Sequence, residues 1–181
     1  VQDVDNLGWK LAAVVRGEAQ PSLIYTYDTE RGHGADENMR NSARATNFMT
    51  PKSAIETLFR NEVLTLAARH PFARKLINSG RLSQPCTLHD SPLQTAGDAP
   101  LRPGTALIDA PLVGPAGECW LLGEVQGQFA LLAIGDITAP DLPGVIRIGI
   151  DQSQDAYPCF AGKDGHARRR YGSGFLYLLR P

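Results

Sequence analysis

The side chains best suited to nucleophilic, acid–base or metal chemistry lie far apart in this 181-residue sequence. They are three cysteines and four histidines: Cys86, Cys119, Cys159, His33, His70, His89 and His166. The cysteines form no CxxC pair, so neighbouring thiols provide neither a zinc ribbon nor a thioredoxin-type redox motif. The histidines show no HxxxH or His/Cys/carboxylate spacing typical of a metal site. We therefore predict no metal site, reduced cysteines that act as small apolar residues, and histidines at the surface.

Three short motifs carry a weak signal for phosphate or hydrolytic chemistry. Gly162-Lys163-Asp164-Gly165 lacks the Gly-x-x-x-x-Gly-Lys-Ser/Thr spacing with which backbone amides surround a phosphate. Gly172-Ser173-Gly174 occurs without a Gly-x-Ser-x-Gly elbow or an identifiable base. Arg168-Arg169-Arg170 fits a solvated helix face better than a phosphate site. Because none of these motifs is complete, the sequence argues against a hydrolase.

The start of the chain places polar side chains at the beginning of a predicted helix. Its apolar residues have the spacing of one buried helical face: Val4, Leu7, Leu11, Val14 and Val15. Gln2 and Asp3 fall in the first turn, where free N–H groups and the helix dipole attract negative charge. Gly17 ends the pattern. Gln2 and Asp3 are therefore the candidate binding residues.

Helix patterns continue to Gly80 without a strand pattern. Pro21 begins a second helix that runs to Arg31, and Gly32-His33-Gly34 predicts a kink or break, because each glycine costs a helix about 1 kcal/mol. A third helix covers about 35–48. Thr50-Pro51 then predicts the cap and first position of a helix that ends before Pro71. Its predicted buried side consists of Ile55, Leu58, Phe59, Val63, Leu66 and Ala67. A short helix over 72–78 closes at Gly80.

The second half of the chain has a different periodicity. Residues 81–102 are rich in proline and serine and predict a linker. Three short apolar runs bounded by Gly, Pro or Asp then predict buried strands: Phe129–Gly135, Val145–Ile150 and Phe175–Leu179. Between them we predict a turn over Leu112–Gly117, a brief strand over Cys119–Leu121, a helical turn over Leu122–Gln126 and a helix over Gly165–Tyr171. This order favours an α/β layer with parallel neighbouring strands.

Composition excludes several classes of protein. The formal net charge is −1, and no basic stripe indicates a nucleic-acid partner. The longest apolar runs are too short to span a bilayer, and the N-terminal residues lack the pattern of a signal peptide. Reduced cysteines favour a cytoplasmic location.

The N-terminal sequence motifs resemble those of a known family. Val1-Gln2-Asp3, Asn6-Leu7, Trp9-Lys10-Leu11 and Tyr27-Asp28-Thr29-Glu30-Arg31 resemble the "IQD-x-x-NL-x-WKL … SY-x-x-ER" run of FAD-dependent aromatic-ring hydroxylases of the para-hydroxybenzoate and phenol hydroxylase type. In that family the run follows a Gly-rich segment that touches the flavin. The resemblance therefore implies that the FAD-binding Rossmann half precedes Val1, and that Gln2 and Asp3 lie next to the cofactor. The alternative, that Asp3 is an ordinary first-turn acid, stays open.

The C-terminal part resembles the thioredoxin-like domain of the phenol hydroxylase branch. The matching pieces are "PG-x-x-x-x-DAPL-x-G", "FALLAIG" and "RRYG…FLYLLRP". Where thioredoxins carry CxxC, this chain has Gly135-Asp136-Ile137-Thr138, so the resemblance implies a scaffold without disulfide chemistry. We interpret Phe175–Leu179 as a central or near-central strand. We expect further residues of the native chain, or a partner chain, to cover its free edge.

Together these observations predict an α+β chain: a helical segment over 1–80, a linker over 81–102 and an α/β thioredoxin-like domain over 103–181. By resemblance, the whole protein is a monooxygenase that uses FAD and NAD(P)H to hydroxylate an aromatic substrate, and homodimers are compatible with it. The chain alone should be structural and inactive. The alternative is a non-catalytic assembly or dimerisation module.

Overall fold

The computed structural model describes residues 2–77, 85–153 and 157–181. They divide into two compact units, Val1–Leu93 and Gln94–Pro181. The first contains helices and the second a mixed six-stranded sheet, which confirms the predicted α+β class. Three sequence-based predictions concern residues outside the described ones: the role of Val1, the helix end at Gly80 and the start of the linker at 81–84.

The helical unit contains four α-helices, and its described residues form no strand. They are α1 (Gln2–Val15), α2 (Tyr25–Met49), α3 (Ala54–Arg69) and α4 (Pro71–Ile77). A short 3₁₀ helix over Pro21–Ile24 leads into α2. Gly17 adopts a φ of +73°, as expected for the residue that ends α1.

The predicted helix break at Gly32-His33-Gly34 is wrong, because α2 runs through all three residues. Gly34 has a packing role that explains its presence in the helix. A Cβ at this position would lie 2.9 Å from both Nη1 of Arg31 and Sγ of Cys86. An interruption at these glycines would lose hydrogen bonds and contacts of a continuous helix. That loss is larger than the cost of keeping glycine within the helix.

The predicted cap at Thr50-Pro51 is also wrong, because α3 begins after Ser53. Ser53 Oγ accepts from the backbone N–H of Glu56 at 3.2 Å, and Glu56 Oε2 accepts from the backbone N–H of Ser53 at 3.1 Å. This reciprocal pair is a capping box. It stabilises the start of α3 more completely than a single hydroxyl followed by proline.

The predicted buried faces of α1 and α3 are largely exposed. Val63 and Ala67 are buried on α3. Other apolar residues of the two predicted faces remain at the surface: Val4, Leu11, Val15, Ile55, Leu58, Phe59 and Leu66. The helical unit therefore buries few apolar side chains within itself.

The sheet has the strand order β2-β1-β5-β4-β3-β6. The strands are β1 (Pro111–Gly114), β2 (Gly117–Trp120), β3 (Ala130–Ile134), β4 (Ile146–Ile150), β5 (Cys159–Gly162) and β6 (Phe175–Leu179). Strand β4 lies parallel to β3 and β5, and the other pairs are antiparallel. Two short helices, α5 (Leu121–Val125) and α6 (His166–Tyr171), complete the unit.

The three predicted apolar strands are confirmed as β3, β4 and β6, but several details differ. The predicted turn over Leu112–Gly117 is a hairpin whose arms are β1 and β2, and β5 was not predicted. Strand β6 pairs only with β3 and lies at an edge of the described sheet instead of near its centre. Tyr177 and Leu179 pack on one cluster and Leu176 on another, so β6 is apolar because both of its faces contact core residues.

The core of the sheet unit is centred on β3, where all five residues are buried. Tyr171 of α6 is fully buried beside it, and its hydroxyl group donates to the backbone carbonyl of Ile108. Burial raises the pKa of Tyr171 to about 12. The Tyr177 hydroxyl group donates to the carbonyl of Tyr171 at 2.5 Å. These bonds anchor α6 over the sheet.

Candidate functional site

The predicted binding residues, Gln2 and Asp3, lie in the first turn of α1 and both contact Arg31 of α2. Arg31 Nε donates to Asp3 Oδ1 at 2.6 Å, and Arg31 Nη1 donates to Gln2 Oε1 at 3.2 Å. The Arg31 side chain is 12% exposed and that of Asp3 is 62% exposed. The hydrogen bond and the positive charge of Arg31 lower the pKa of the Asp3 carboxyl group. Asp3 is therefore an anion at neutral pH with its charge compensated.

A second polar contact between the same helices is centred on two completely buried side chains, Lys10 and Glu30. Lys10 Nζ donates to Glu30 Oε2 and to Asn6 Oδ1, both at 2.8 Å. Asn6 Nδ2 donates to the same Glu30 oxygen at 2.7 Å. The side chains of Lys10 and Glu30 are 0% exposed. Because two charges are removed from water here, the surrounding hydrogen bonds are needed to offset the desolvation.

The other carboxylate oxygen of Glu30 anchors the segment that follows the helices. Ser91 Oγ donates to Glu30 Oε1 at 2.5 Å, and the backbone N–H of Leu93 donates to Ser91 Oγ at 3.2 Å. Both oxygens of Glu30 therefore have hydrogen-bond donors. We call Asn6, Lys10, Glu30 and Ser91 the buried polar cluster.

Sequence reasoning missed the buried polar cluster, although the chain offered a signal. Asp3, Asn6 and Lys10 have the spacing i, i+3, i+7 and so form a polar stripe on α1. Glu30 and Arg31 were noted only as part of a family motif. A polar stripe on one helix and an acid–base pair on the next indicate a contact, but the spacing does not reveal which helices meet.

The histidines and cysteines form no comparable site in the described part of the chain. No group of three His, Cys, Asp or Glu side chains there is arranged to hold a metal ion. His70 and His89 are exposed, whereas His33 and His166 are partly buried. The rings of His33 and His89 meet edge to face with centroids 5.5 Å apart. The prediction of surface histidines is therefore correct for two of the four.

The three cysteines carry free thiols. Cys86 is buried, and Cys119 and Cys159 are partly buried. Burial, supported by the nearby charge of Glu124, raises the pKa of the Cys119 thiol. This thiol is protonated at neutral pH and is therefore a poor nucleophile.

The loop after β3 contains polar groups that contact the loop after β4. Asp136 Oδ1 accepts from the backbone N–H of Ser153 at 3.1 Å and from its Oγ at 2.5 Å. Gln152 Nε2 donates to the carbonyl of Ile137 at 2.6 Å. These polar groups join two loops at the carboxyl ends of β3 and β4, so their role is to hold the loops together.

Three basic side chains of the two motifs near the C-terminus contact acceptors within the sheet unit: Lys163, Arg168 and Arg170. Arg168 Nε donates to Asp151 Oδ2 at 3.1 Å, and Arg170 donates to the backbone carbonyl of Asp109. Lys163 pairs with Glu118 at 2.6 Å. These partners support a structural role for the basic residues.

Among the described helices, none is long and apolar enough to cross a lipid bilayer.

Comparison with known proteins identifies the class to which the first two helices are related. Residues 1–42 match the family model described as "FAD binding domain". This segment contains Gln2, Asp3, Arg31 and the buried polar cluster except for Ser91. The contact between α1 and α2 is therefore part of a segment shared with FAD-binding proteins.

Two curated relatives and one solved structure make the relationship more specific. The chain is 30% identical over 135 residues to 3-(3-hydroxy-phenyl)propionate/3-hydroxycinnamic acid hydroxylase from Mycolicibacterium smegmatis, covering 73% of this chain and 24% of that protein. It is 64% identical over 31 residues to pentachlorophenol 4-monooxygenase from Sphingobium chlorophenolicum, covering 17% of this chain and 6% of that protein. The fold is similar to that of the rebeccamycin biosynthetic enzyme RebC with reduced flavin, with a TM-score of 0.61 and 20% identity over 99% of this chain and 35% of that one.

The predicted resemblance is confirmed: the chain is related to the FAD-dependent aromatic-ring hydroxylases. It spans about a quarter of the length of the M. smegmatis relative.

Proposed function

We propose that this chain forms the C-terminal part of an FAD-dependent, NAD(P)H-using monooxygenase of the cytoplasm that hydroxylates a phenolic or other aromatic substrate. The observation that carries the proposal is the match of residues 1–42 to an FAD binding domain family. Relatives whose names describe aromatic hydroxylases support the reaction and the substrate class. Bound FAD would supply the electron transfer and oxygen insertion.

The residues at the start of α1 fit a flavin chemically. A helix N-terminus offers backbone N–H groups and positive potential, which suit a ring that gains negative charge on reduction. The charge of Asp3 would oppose that gain, but Arg31 compensates it. Because Gln2 Oε1 accepts from Arg31, Nε2 is the hydrogen-bonding group that Gln2 could offer. In the proposed enzyme, Gln2 and Asp3 therefore adjoin the cofactor while Arg31 holds them.

The sheet unit is proposed to be a thioredoxin-like scaffold without disulfide chemistry. Support comes from the parallel pair β4–β3 followed by the antiparallel strand β6. The loop after β3 contains Asp136 and Thr138 where the redox cysteines would be needed. A partly buried cysteine with a raised pKa, such as Cys119, is not suited to replace them.

A second candidate function is assembly, in which the sheet unit contributes to a homodimer interface. Trp120 on edge strand β2 favours this candidate, because it is 58% exposed. Tryptophan is enriched at protein interfaces. The two candidates are compatible, since one enzyme subunit can carry both roles.

The experiment is to purify the whole polypeptide that contains this chain and to compare it with residues 1–181 alone. We expect stoichiometric FAD in the whole polypeptide and NAD(P)H oxidation that a phenolic substrate stimulates. We expect the chain alone to bind no FAD tightly, because the dinucleotide-binding fold is needed for the phosphates and the adenine. A whole polypeptide that neither retains FAD nor oxidises NAD(P)H would contradict the proposal.

A further inference from the structure

We propose that Arg31 neutralises the effect of the Asp3 charge on the reduction potential of the flavin, so that the intact ion pair leaves this potential nearly unshifted, and that the buried polar cluster holds the pair in position. The inference rests on the proposed function, because it requires a flavin near the first turn of α1. It assigns roles to Arg31 and Glu30 that the sequence motif alone does not give. Glu30 is a positioning residue, since it acts on the cofactor through α1, whereas Arg31 acts through its charge and its contact with Asp3.

The first argument is that α2 holds α1 at two separate levels. Arg31 contacts Gln2 and Asp3 in the first turn, and Glu30 contacts Asn6 and Lys10 one and two turns later. Two contacts along one helix fix its rotation and its axial position, whereas one contact would leave a pivot. A buried ion pair contributes little net stability and is better suited to specify one register.

The second argument is that the Arg31 side chain is itself confined. A Cβ at Gly34 would lie 2.9 Å from Arg31 Nη1 and 3.3 Å from Arg31 Cζ. The guanidinium group therefore packs along its own helix, one turn further on, in space that only glycine leaves open. From there it reaches Asp3 at 2.6 Å. This confinement fixes where the positive charge lies relative to the start of α1.

The third argument is electrostatic. Reduction adds negative charge to the flavin, so a nearby positive group stabilises the reduced form and a nearby negative group destabilises it. Asp3 and Arg31 oppose each other and nearly cancel while the pair is intact. Removing either partner leaves the other charge uncompensated. The two single variants should therefore shift the potential in opposite directions.

The test uses the full-length FAD-containing enzyme with Arg31→Met, Asp3→Asn and the double substitution. We expect Arg31→Met to weaken the binding of reduced relative to oxidised FAD about tenfold, which lowers the two-electron potential by about 30 mV. Asp3→Asn should change the same ratio about tenfold in the other direction. The double variant should return to within about twofold of the wild-type ratio. The potentials are measured by equilibration with reference dyes.

Controls separate this inference from loss of structure. Arg40→Met removes an exposed charge from α2 whose Nε donates to the carbonyl of Asp36 in the same helix, and should leave the potential unchanged. Circular dichroism and thermal unfolding check the fold of each variant. If Arg31→Met does not fold, Asp3→Asn still decides the sign, because the Asp3 side chain is largely exposed.

The outcomes are distinct. Shifts of opposite sign with restoration in the double variant support the inference, because a structural defect would shift both single variants in one direction. Unchanged potentials, or shifts of equal sign, in variants that retain FAD overturn the role of the ion pair but leave the proposed function intact. A wild-type full-length protein without FAD overturns both.

Discussion

The helical unit and the sheet unit bury different kinds of side chain. In the sheet unit, the five residues of β3 are apolar and buried, and they belong to continuous apolar clusters. In the described helical unit, the largest fully buried side chains are those of Lys10 and Glu30. Large apolar residues meanwhile remain exposed on the other two helices of this unit, for example Phe59 on α3 and Phe72 on α4.

The difference shows that the two units respond to different changes. Apolar burial is non-directional and roughly proportional to area, so a well-packed sheet tolerates changes away from its core. A buried ion pair depends on both partners and on every hydrogen bond around them. The helical unit should therefore be more sensitive to one polar substitution than to most apolar ones. Trp9 and Trp120 are the two tryptophans of the chain, and each reports on one unit.

The largest effect is expected for Glu30→Gln. This change removes the carboxylate charge that faces the buried Lys10 ammonium group and should destabilise the helical unit by about 3–5 kcal/mol. Trp9 fluorescence during urea unfolding, in a Trp120→Phe background, measures it. Asp36→Asn is the matched control, because Asp36 is exposed on the same helix, and it should change stability by less than about 0.5 kcal/mol. A loss below about 1 kcal/mol for Glu30→Gln would mean that the buried polar cluster does not anchor this unit.

The corresponding change in the sheet unit is Leu132→Ala at the centre of β3. It creates a cavity in the apolar core and should cost about 2–5 kcal/mol. The Trp120 signal of the same chain in a Trp9→Phe background reports the loss. Leu178→Ala on β6 is the control, since Leu178 is 64% exposed, and we expect it to cost well under half as much. Equal losses for the two leucines would contradict the assignment of β3 as the core strand.

A pair of glycines in α2 tests how tightly the helical unit is packed. Gly34→Ala should destabilise it by about 1–3 kcal/mol, because the new methyl group must displace Arg31 or Cys86. Gly32→Ala adds a methyl group where no other atom lies within 4 Å. It should stabilise the helix by about 0.5–1 kcal/mol. The prediction fails if both substitutions change the Trp9 unfolding midpoint in the same direction.

The smallest effect concerns the start of α3. Ser53→Ala removes the cap hydroxyl group and should cost about 1 kcal/mol, whereas Thr50→Ala should cost less, since Thr50 does not cap α3.

Hydrogen bonds from the backbone N–H groups of Lys52 and then Ser53 lower the pKa of Glu56 below 4.5. The contribution of Glu56 is therefore present above pH 4.5 and is lost as the pH falls through its lower folded-state pKa. Glu56→Gln should flatten this acid dependence of the unfolding midpoint.

Local patterns in the sequence determined much of this molecule. The apolar runs at β3, β4 and β6 are readable because a buried strand needs consecutive apolar side chains between turn residues. Helix α1 and its end at Gly17 follow from helical periodicity and from the positive φ that glycine accepts. The resemblance to flavoprotein hydroxylases is readable from the sequence motifs within the first 31 residues. The comparisons with known proteins confirm this resemblance. That Gln2 and Asp3 adjoin a flavin stays a prediction.

Only the tertiary structure decided which polar groups meet and where each strand lies. Glu30 is separated by 20 residues from Lys10 and by 61 from Ser91, so no local period connects them. Gly34 has the local signature of a helix break, because glycine is unfavourable in a helix. Its packing role depends on Cys86, which belongs to a distant segment and is therefore invisible to a local pattern. Strand β6 has the composition of a central strand but pairs on one side only. Sequence periodicity reports which side chains avoid water, whereas their partners depend on contacts between remote segments.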